Sequence, residues 1–411
     1  MPLLTQNQKK AQVADLSLYV DNSQSTMTGT NTSVVSNKLI DSSADFSTLK
    51  PHQVVVNTSD HTATIIDYVE NDTTIVLKEN IFTATPKGYS VDNHTGASSD
   101  KFKYPQSTME SVPANIDFYL HVYIADGTYS EISASDIDTI RGSFGKAFLF
   151  INKRMNAGGR IVVEGNTTTP ANVLFNGTTP SAAVGVLVQD TQKVEVKGLK
   201  VTNCTHGIGV VENSFLTVSD TITNSNNNGF TVYMYSYVLA SRIISGESGV
   251  KNTYGILMES STFNIDDSGS GANSSSLRYN TDNINAYSST VAVTGNATAN
   301  VNLSDSTNWG VILRTCNTAI LDRVIIDSAS SGGAIQVNYE GNLSISNSVI
   351  SNNSTRGITA YSNSFVYSSN NTGAGQSYGL VAQHGSVILK NGTQPTGTTS
   401  NEQTSTGGAI Y

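Results

Sequence analysis

Residues 255–265 read Gly-Ile-Leu-Met-Glu-Ser-Ser-Thr-Phe-Asn-Ile, and residues 357–367 read Gly-Ile-Thr-Ala-Tyr-Ser-Asn-Ser-Phe-Val-Tyr. Both open on glycine, alternate apolar and polar residues, turn through two or three small polar residues, and alternate again. Strict alternation over four or five residues is the signature of a half-buried strand. The same grammar returns at Gly185, Gly207, Gly229, Gly255, Asn283, Gly310, Gly333, Gly357 and Gly379, at intervals of 22, 22, 26, 28, 27, 23, 24 and 22 residues. Self-similarity at such a period signals a solenoid. Several coils carry a third apolar run, as at Leu199–Val201, Ile243–Ile244 and Val324–Ile326. Three short strands per coil predict an all-β chain whose main body is a right-handed, single-stranded parallel β-helix. The glycines are expected where the coil bends and φ turns positive. Asn203, Asn224 and Asn352 follow the third strand and are expected to form an internal asparagine ladder. A leucine-rich repeat has a similar period, but its Leu/Asn consensus and its helical segment are absent.

Upstream the pattern changes. Residues 1–30 read as an N-terminal arm, with a short helix expected over 6–19. Residues 31–96 alternate short apolar runs with turn signals, such as Val54-Val55-Val56 before Asn57-Thr58-Ser59-Asp60, and read as a small antiparallel β-module. Residues 97–115 read as a linker. The solenoid is placed at 116–411, opening on FYLHVYIADGTY from Phe118. A helix or irregular insertion is expected over 136–154, covering the first coil's open edge.

Of the 411 residues 13% are charged, the net charge is -9, and no Lys/Arg-rich run occurs. The electrostatic footprint of a nucleic-acid binder is therefore missing. No apolar stretch is long enough for membrane insertion, and the N-terminus does not read as a secretion signal. Cys204 and Cys316 have no metal or redox spacing and read as buried thiols. No cofactor and no metal site is expected.

Alternation turns the second and fourth residues after each opener outward. The fourth position gives the column Gln189, Val211, Tyr233, Glu259, Tyr287, Arg314, Asn338 (after a one-residue shift), Tyr361 and Gln383. The second gives Leu187, Thr231, Leu257, Asn285, Ile312, Thr359 and Val381. Tyr233, Tyr287, Arg314 and Tyr361 are the candidate binding residues, suited to stacking sugars or to a subunit interface. The longest interval supplies a loop, 266–282, with Asp266, Asp267, Arg278, Tyr279 and Asp282. Glycoside hydrolysis needs two carboxylates about 5–10 Å apart. Glu259 with Asp266 or Asp267 is the candidate catalytic pair, with Asp282 as a further partner. A lyase would instead draw its base from Arg278 or Arg314.

The opening FYLHVYIADGTY resembles the first coil of pectate-lyase-like β-helices. The module, with its Asp45-Phe46 pair, its VVNTSD turn and its closing Ile81-Phe82 and Gly88-Tyr89, resembles a small β-domain of phage virion proteins. Together they make the chain similar to phage tailspike and tail-fibre proteins. The resemblance implies a homotrimer in the virion, released by host lysis. Its N-terminal region would dock on other tail or capsid proteins, and its solenoid would meet host surface polysaccharide. It implies attachment to that glycan, or alternatively a depolymerase acting on capsule or lipopolysaccharide. A cellular adhesin or secreted pectin-lyase-like enzyme is a third reading. No separate trimerisation domain follows the last coil at Gly407–Tyr411, which favours a shorter appendage assembled on partner proteins.

Overall fold

The computed structural model describes residues 15–411 except 133, 136, 138–143, 178–183, 270–273 and 297–299. The coil-opening strands stack in parallel and, with an antiparallel edge strand at Ala134–Ser135, make a 12-stranded sheet; the second and third strands of each coil build a 20-stranded sheet wrapped around the same core. The result is a parallel β-solenoid of about nine turns. Inward residues such as Ile256, Met258, Phe263 and Ile265 are fully buried, in one apolar stack that runs from Leu18 to Ile388. Cross-coil pairing places Ile256 on Ile284, and Ile358 on Leu380. Val311 pairs with Ile335 and Ile335 with Ile358, so the rung below Gly357 is Ala334 and not Gly333. With that correction Asn338 falls into its column without a shift.

The glycine openers have a different cause from the one expected. Gly185, Gly207, Gly229, Gly255, Gly357 and Gly379 carry no left-handed φ. A Cβ on Gly185, Gly207, Gly255 or Gly357 would instead lie 2.5 Å from the carbonyl oxygen of the residue stacked on it. The left-handed positions fall at the corner after each opening strand, on Glu212, Met234, Ser260, Ser288, Thr315, Tyr339 and Ser362.

Two polar ladders run through the corners. Ser214 N–H donates to Ser236 Oγ, Ser236 N–H to Ser261 Oγ, and Ser261 N–H to Ser289 Oγ. The asparagine ladder is Asn226, Asn252 and Asn280. Each accepts from the backbone N–H of the rung before, at 2.9–3.2 Å, and returns an amide proton to a carbonyl of that rung. Asn203, Asn224 and Asn352 bond neighbouring side chains instead, because they sit one or two residues short of the corner. Cys204 and Cys316 occupy rungs of the two ladders as free, buried thiols, and burial pushes the Cys204 thiol up to about 12.

The N-terminal thirty residues are not an arm throughout. Leu16–Val20 is a strand paired in parallel with Leu120–Ile124, and Met27–Thr30 pairs antiparallel with Gly88–Val91. Leu-Ser-Leu-Tyr-Val alternates with period two and buries Leu18 and Val20, so a strand displaces the expected helix; residues 6–14 of that helix lie outside the described residues. Residues 27–91 form a seven-stranded antiparallel sheet around Leu39, Phe46, Ile66, Phe82 and Tyr89. The expected linker contains a short helix, Pro105–Glu110, with Gln106 to Met109 buried. The expected insertion at 136–154 includes a coil strand, Lys146–Ile151, paired with Val184–Val188. Ile137 and Phe144 pack outside the sheet on Leu187 and Val211.

His94 ties module to solenoid. Its Nδ1 lies 2.6 Å from Asp100 and its Nε2 lies 2.6 Å from the Ser25 carbonyl oxygen. Both nitrogens face acceptors, and these contacts outweigh burial to raise the pKa of the ring above its ordinary value, which favours the doubly protonated form.

Candidate functional site

The outer face of the 12-stranded sheet holds the column read from the sequence. Tyr233, Glu259, Tyr287, Arg314, Asn338, Tyr361 and Gln383 pair rung by rung in that order. At strand spacing, adjacent members lie about 4.8 Å apart along the solenoid. Their environments differ. Tyr233 is half-buried against the cluster capped by Ile137 and Phe144. Tyr361 is half-buried, with its ring 4.4 Å from that of His384. Tyr287 is exposed at 39%.

Tyr287 is held in place by Arg314. The guanidinium carbon lies 4.7 Å from the ring centroid, and Nη1 donates to the Tyr287 hydroxyl at 2.5 Å and to Asn285 Oδ1 at 2.8 Å. Asn285 in turn donates Nδ2 to Asp282 at 3.1 Å. Asp282 also accepts from Asn308 Nδ2 at 2.9 Å and from Trp309 N–H at 3.2 Å. Burial pushes the Asp282 carboxyl above its ordinary value, against these donors and the nearby Arg314 charge. A continuous polar chain thus runs from Trp309 to Tyr287 across two coils. Such a network fixes its members when every one is satisfied. Arg242, Arg278 and Arg323 each pair with an aspartate; Arg314, among the described residues, does not. Its charge is therefore available on the face.

Trp309, the single tryptophan, was not singled out in the sequence. It precedes the coil opener Gly310, where His206, Asn228, Tyr254 and Asp282 stand in other coils, so the polar character of that column, and not alternation, was the available signal. Its ring lies over the backbone of the next coil: a Cβ on Gly332 would come 2.6 Å from Nε1, and one on Gly333 2.8 Å from the six-membered ring. This packing accounts for the glycine pair that obscured the register.

The second-position residues are less accessible than alternation implies. Leu187, Thr231, Ile312, Thr359 and Val381 are buried at 2% exposure or less. Leu187 is covered by Ile137 and Phe144, and Asn285 by its bonds to Arg314 and Asp282.

The candidate catalytic residues are not brought together. Glu259 ends a strand of the 12-stranded sheet, whereas Asp266 ends the next strand, Thr262–Asp266, on the other sheet. Four strand steps at about 3.3 Å, plus a corner, separate them. Asp267 is fully buried, and its two oxygens accept the backbone N–H of Arg242 at 2.9 Å and of Ser275 at 2.5 Å, a structural tie under the loop. Asp282 opens its strand, whereas Glu259 lies at the far end of the neighbouring one, about 16 Å away along the strand. Arg278 pairs with Asp305 and lies over Tyr279. Residues 270–273 of the acidic loop lie outside the described residues. Among the described residues no three of His, Cys, Asp and Glu converge as metal ligands, and no helix is long and apolar enough to cross a membrane.

No family model and no curated protein matches the sequence. Among solved structures, the chain is similar to an alginate lyase from Paenibacillus sp. str. FPU-7, with 12% identity and a TM-score of 0.45 over 66% of this chain and 92% of that one. It is similar to the A-module of the Azotobacter vinelandii mannuronan C-5 epimerase AlgE4, with 10% identity and a TM-score of 0.44 over 69% and 88%. It is also similar to the pectate lyase Pel9A, with 14% identity and a TM-score of 0.40 over 75% of each chain. At such identities and scores the likeness carries no chemistry across.

Proposed function

We propose that this chain is a host-attachment protein of the tail-fibre or tailspike type, and that the outer face of its 12-stranded sheet binds surface polysaccharide without cutting it. One observation carries the reading: Tyr287 stands exposed at mid-solenoid with its ring fixed by Arg314, whose guanidinium has no carboxylate partner among the described residues. Aromatic faces pack well on the C–H faces of sugars, and a guanidinium donates in a planar fork to hydroxyl or acidic groups. The network behind them fixes this geometry before a ligand arrives, which lowers the entropy lost on binding. Trp309, one end of the same network, adds a second aromatic surface. The wide separation of Glu259, Asp266 and Asp282 favours binding over hydrolysis, since a glycosidase holds its two carboxylates about 5–10 Å apart. On the same reading the module docks on other tail or capsid proteins, and the chain reaches the medium within a virion released by lysis.

Titration calorimetry against a panel of bacterial capsular and lipopolysaccharides tests this. Saturable binding to at least one glycan is expected. Tyr287→Ala and Arg314→Ala should each weaken it roughly ten-fold, the loss of a desolvated cation–π and stacking contact. No binding to any glycan, or full affinity in both variants, would sink the proposal. Release of reducing ends or unsaturated products, abolished by Glu259→Ala, would replace it with the depolymerase reading.

A further inference from the structure

The second strand of each coil presents its outward residues on a face of the 20-stranded sheet, around the corner from Tyr287. From Thr262 onward two adjacent columns carry no charged side chain. One holds Thr262, Thr290, Thr318, Asn342, Phe365, Val387 and Ala409; the other holds Asn264, Ala292, Ile320, Ser344, Tyr367, Leu389 and, by continuation, Tyr411. The same face of the first coils is different: Arg160, Glu164, Glu195, Lys197 and His121 form a continuous ion-pair network there. Twelve large hydrophobic residues are exposed among the described residues, and five of them (Ile320, Phe365, Tyr367, Leu389 and Tyr411) stand on the uncharged columns, at 37–68% exposure. Charge depletion with aromatic enrichment is what distinguishes the core of a protein interface from ordinary surface.

We propose that this face joins two copies of the chain. Each copy carries a net charge of -9 and repels its like, so close approach costs least where neither surface has charge. Asp266 and Asp322 lie in the next column, at the rim. Six coil spacings of about 4.8 Å by a five-residue strand at about 3.3 Å per residue give a flat face of about 500 Å² on each copy. Two such faces bury about 1,000 Å², the lower bound for a specific contact, so the association is concentration-dependent rather than permanent. A single self-complementary face closes at two copies. This inference does not depend on the glycan reading, and it departs from the trimer that the family resemblance implies.

Sedimentation velocity over a concentration series tests it. A reversible shift from one to two chain masses is expected. Tyr367→Asp and Leu389→Asp should each weaken association at least about ten-fold, because the contact would confine like charges. Tyr68→Asp, 49% exposed on the strand Thr62–Asn71 of the antiparallel module, should not. Thermal melting of the variants shows whether they fold. A second measurement adds no charge: Ser344→Cys carrying a nitroxide, with both natural thiols buried, should show strong dipolar coupling between labels in the dimer. A monomer at every concentration, a trimer, a dimer indifferent to both aspartates, or a dimer without label coupling would each overturn the proposal.

Discussion

Gly357 lies in an extended strand, yet it tolerates no side chain. An added Cβ would meet the Gly379 carbonyl oxygen at 2.5 Å, and backbone in a stacked coil cannot swing aside. Gly357→Ala should therefore cost about 1–3 kcal/mol, the range for overpacking. Gly145 is the control: a Cβ there meets nothing within 4 Å, so Gly145→Ala should stay within about 0.5 kcal/mol of the parent. Urea unfolding of the two variants checks this, and equal midpoints would refute the steric account. The periodic glycines were legible in the sequence, but their cause was not. A glycine looks the same whether it answers a left-handed φ or a close carbonyl, and only the stacked coil distinguishes them. Asp267 teaches a related lesson. Its letter suggested a catalytic acid, but its oxygens are occupied by the N–H groups of Arg242 and Ser275, and nothing in a Ser/Gly-rich loop announces that. Tyr287 and Arg314 could be placed side by side from the sequence because alternation fixes which residues share a column. Asp282, Asn308 and Trp309 join them through contacts between coils, which a single repeat does not reveal.

Among the elements, the corner ladders hold successive coils in register. Asn252 bonds to the rungs on both sides: its Oδ1 accepts from Asn226 N–H, its Nδ2 donates to the Thr223 carbonyl oxygen, and its own backbone N–H donates to Asn280 Oδ1. Asn252→Ala strands a buried N–H on Asn226 and removes one of the two bonds to the Thr223 carbonyl oxygen, which keeps the N–H of Gly246. The unsatisfied N–H costs about 1–3 kcal/mol and the lost second bond about 0.5–1.5 kcal/mol, so a loss of about 1.5–4.5 kcal/mol is expected by urea titration. A loss below about 1 kcal/mol would mean that water replaces the amide. A polar ladder was legible from the recurrence of Asn, but its phase was misread, because the strand-ending and the corner-turning asparagines differ by one or two positions. The loop that follows Gly88–Val91 supplies a pH-dependent counterpart. Burial disfavours the charged form of His94, but the Asp100 hydrogen bond, the Ser25 carbonyl and the charges of Asp92 and Asp100 outweigh it, and its pKa is raised. The bound proton stabilises the folded state. That contribution is complete below the unfolded value of about 6.5 and fades as pH climbs through the higher folded value. The Tm advantage of the parent over His94→Ala should therefore shrink from about pH 5.5 to pH 8.5. A difference that stays constant across that range would exclude the imidazolium as the tie.

For the whole molecule, the path of the chain matters more than a list of domains. It lays Leu16–Val20 on the solenoid, leaves to build the module, and returns through Phe102 and the helix Pro105–Glu110 to the first coil. Tyr104 is buried with Val54, Val56 and Ala63, so the return segment packs into the module as well. Damage in the module should therefore reach the solenoid's first strand. Phe46→Ala, at a fully buried position, should cost the module about 3–5 kcal/mol. Amide exchange is then expected to quicken at Leu16–Val20 together with Met27–Thr30. Unchanged protection at Leu16–Val20 would show two independent folding units. Beyond the junction, the serine and asparagine ladders have a consequence for how such a molecule changes length. From Ser214 to Ser289 and from Asn226 to Asn280, each rung offers the next the same atoms. If residues 229–254 were excised, Gly255 would follow Asn228, Ser214 would meet Ser261, and Asn226 would meet Asn280, with each donor still facing its kind of acceptor. A coil is thus an interchangeable unit, like one turn of a spring. Gene duplication or deletion can alter the reach of the solenoid in steps of one rung, leaving the junction and the Tyr287 site intact.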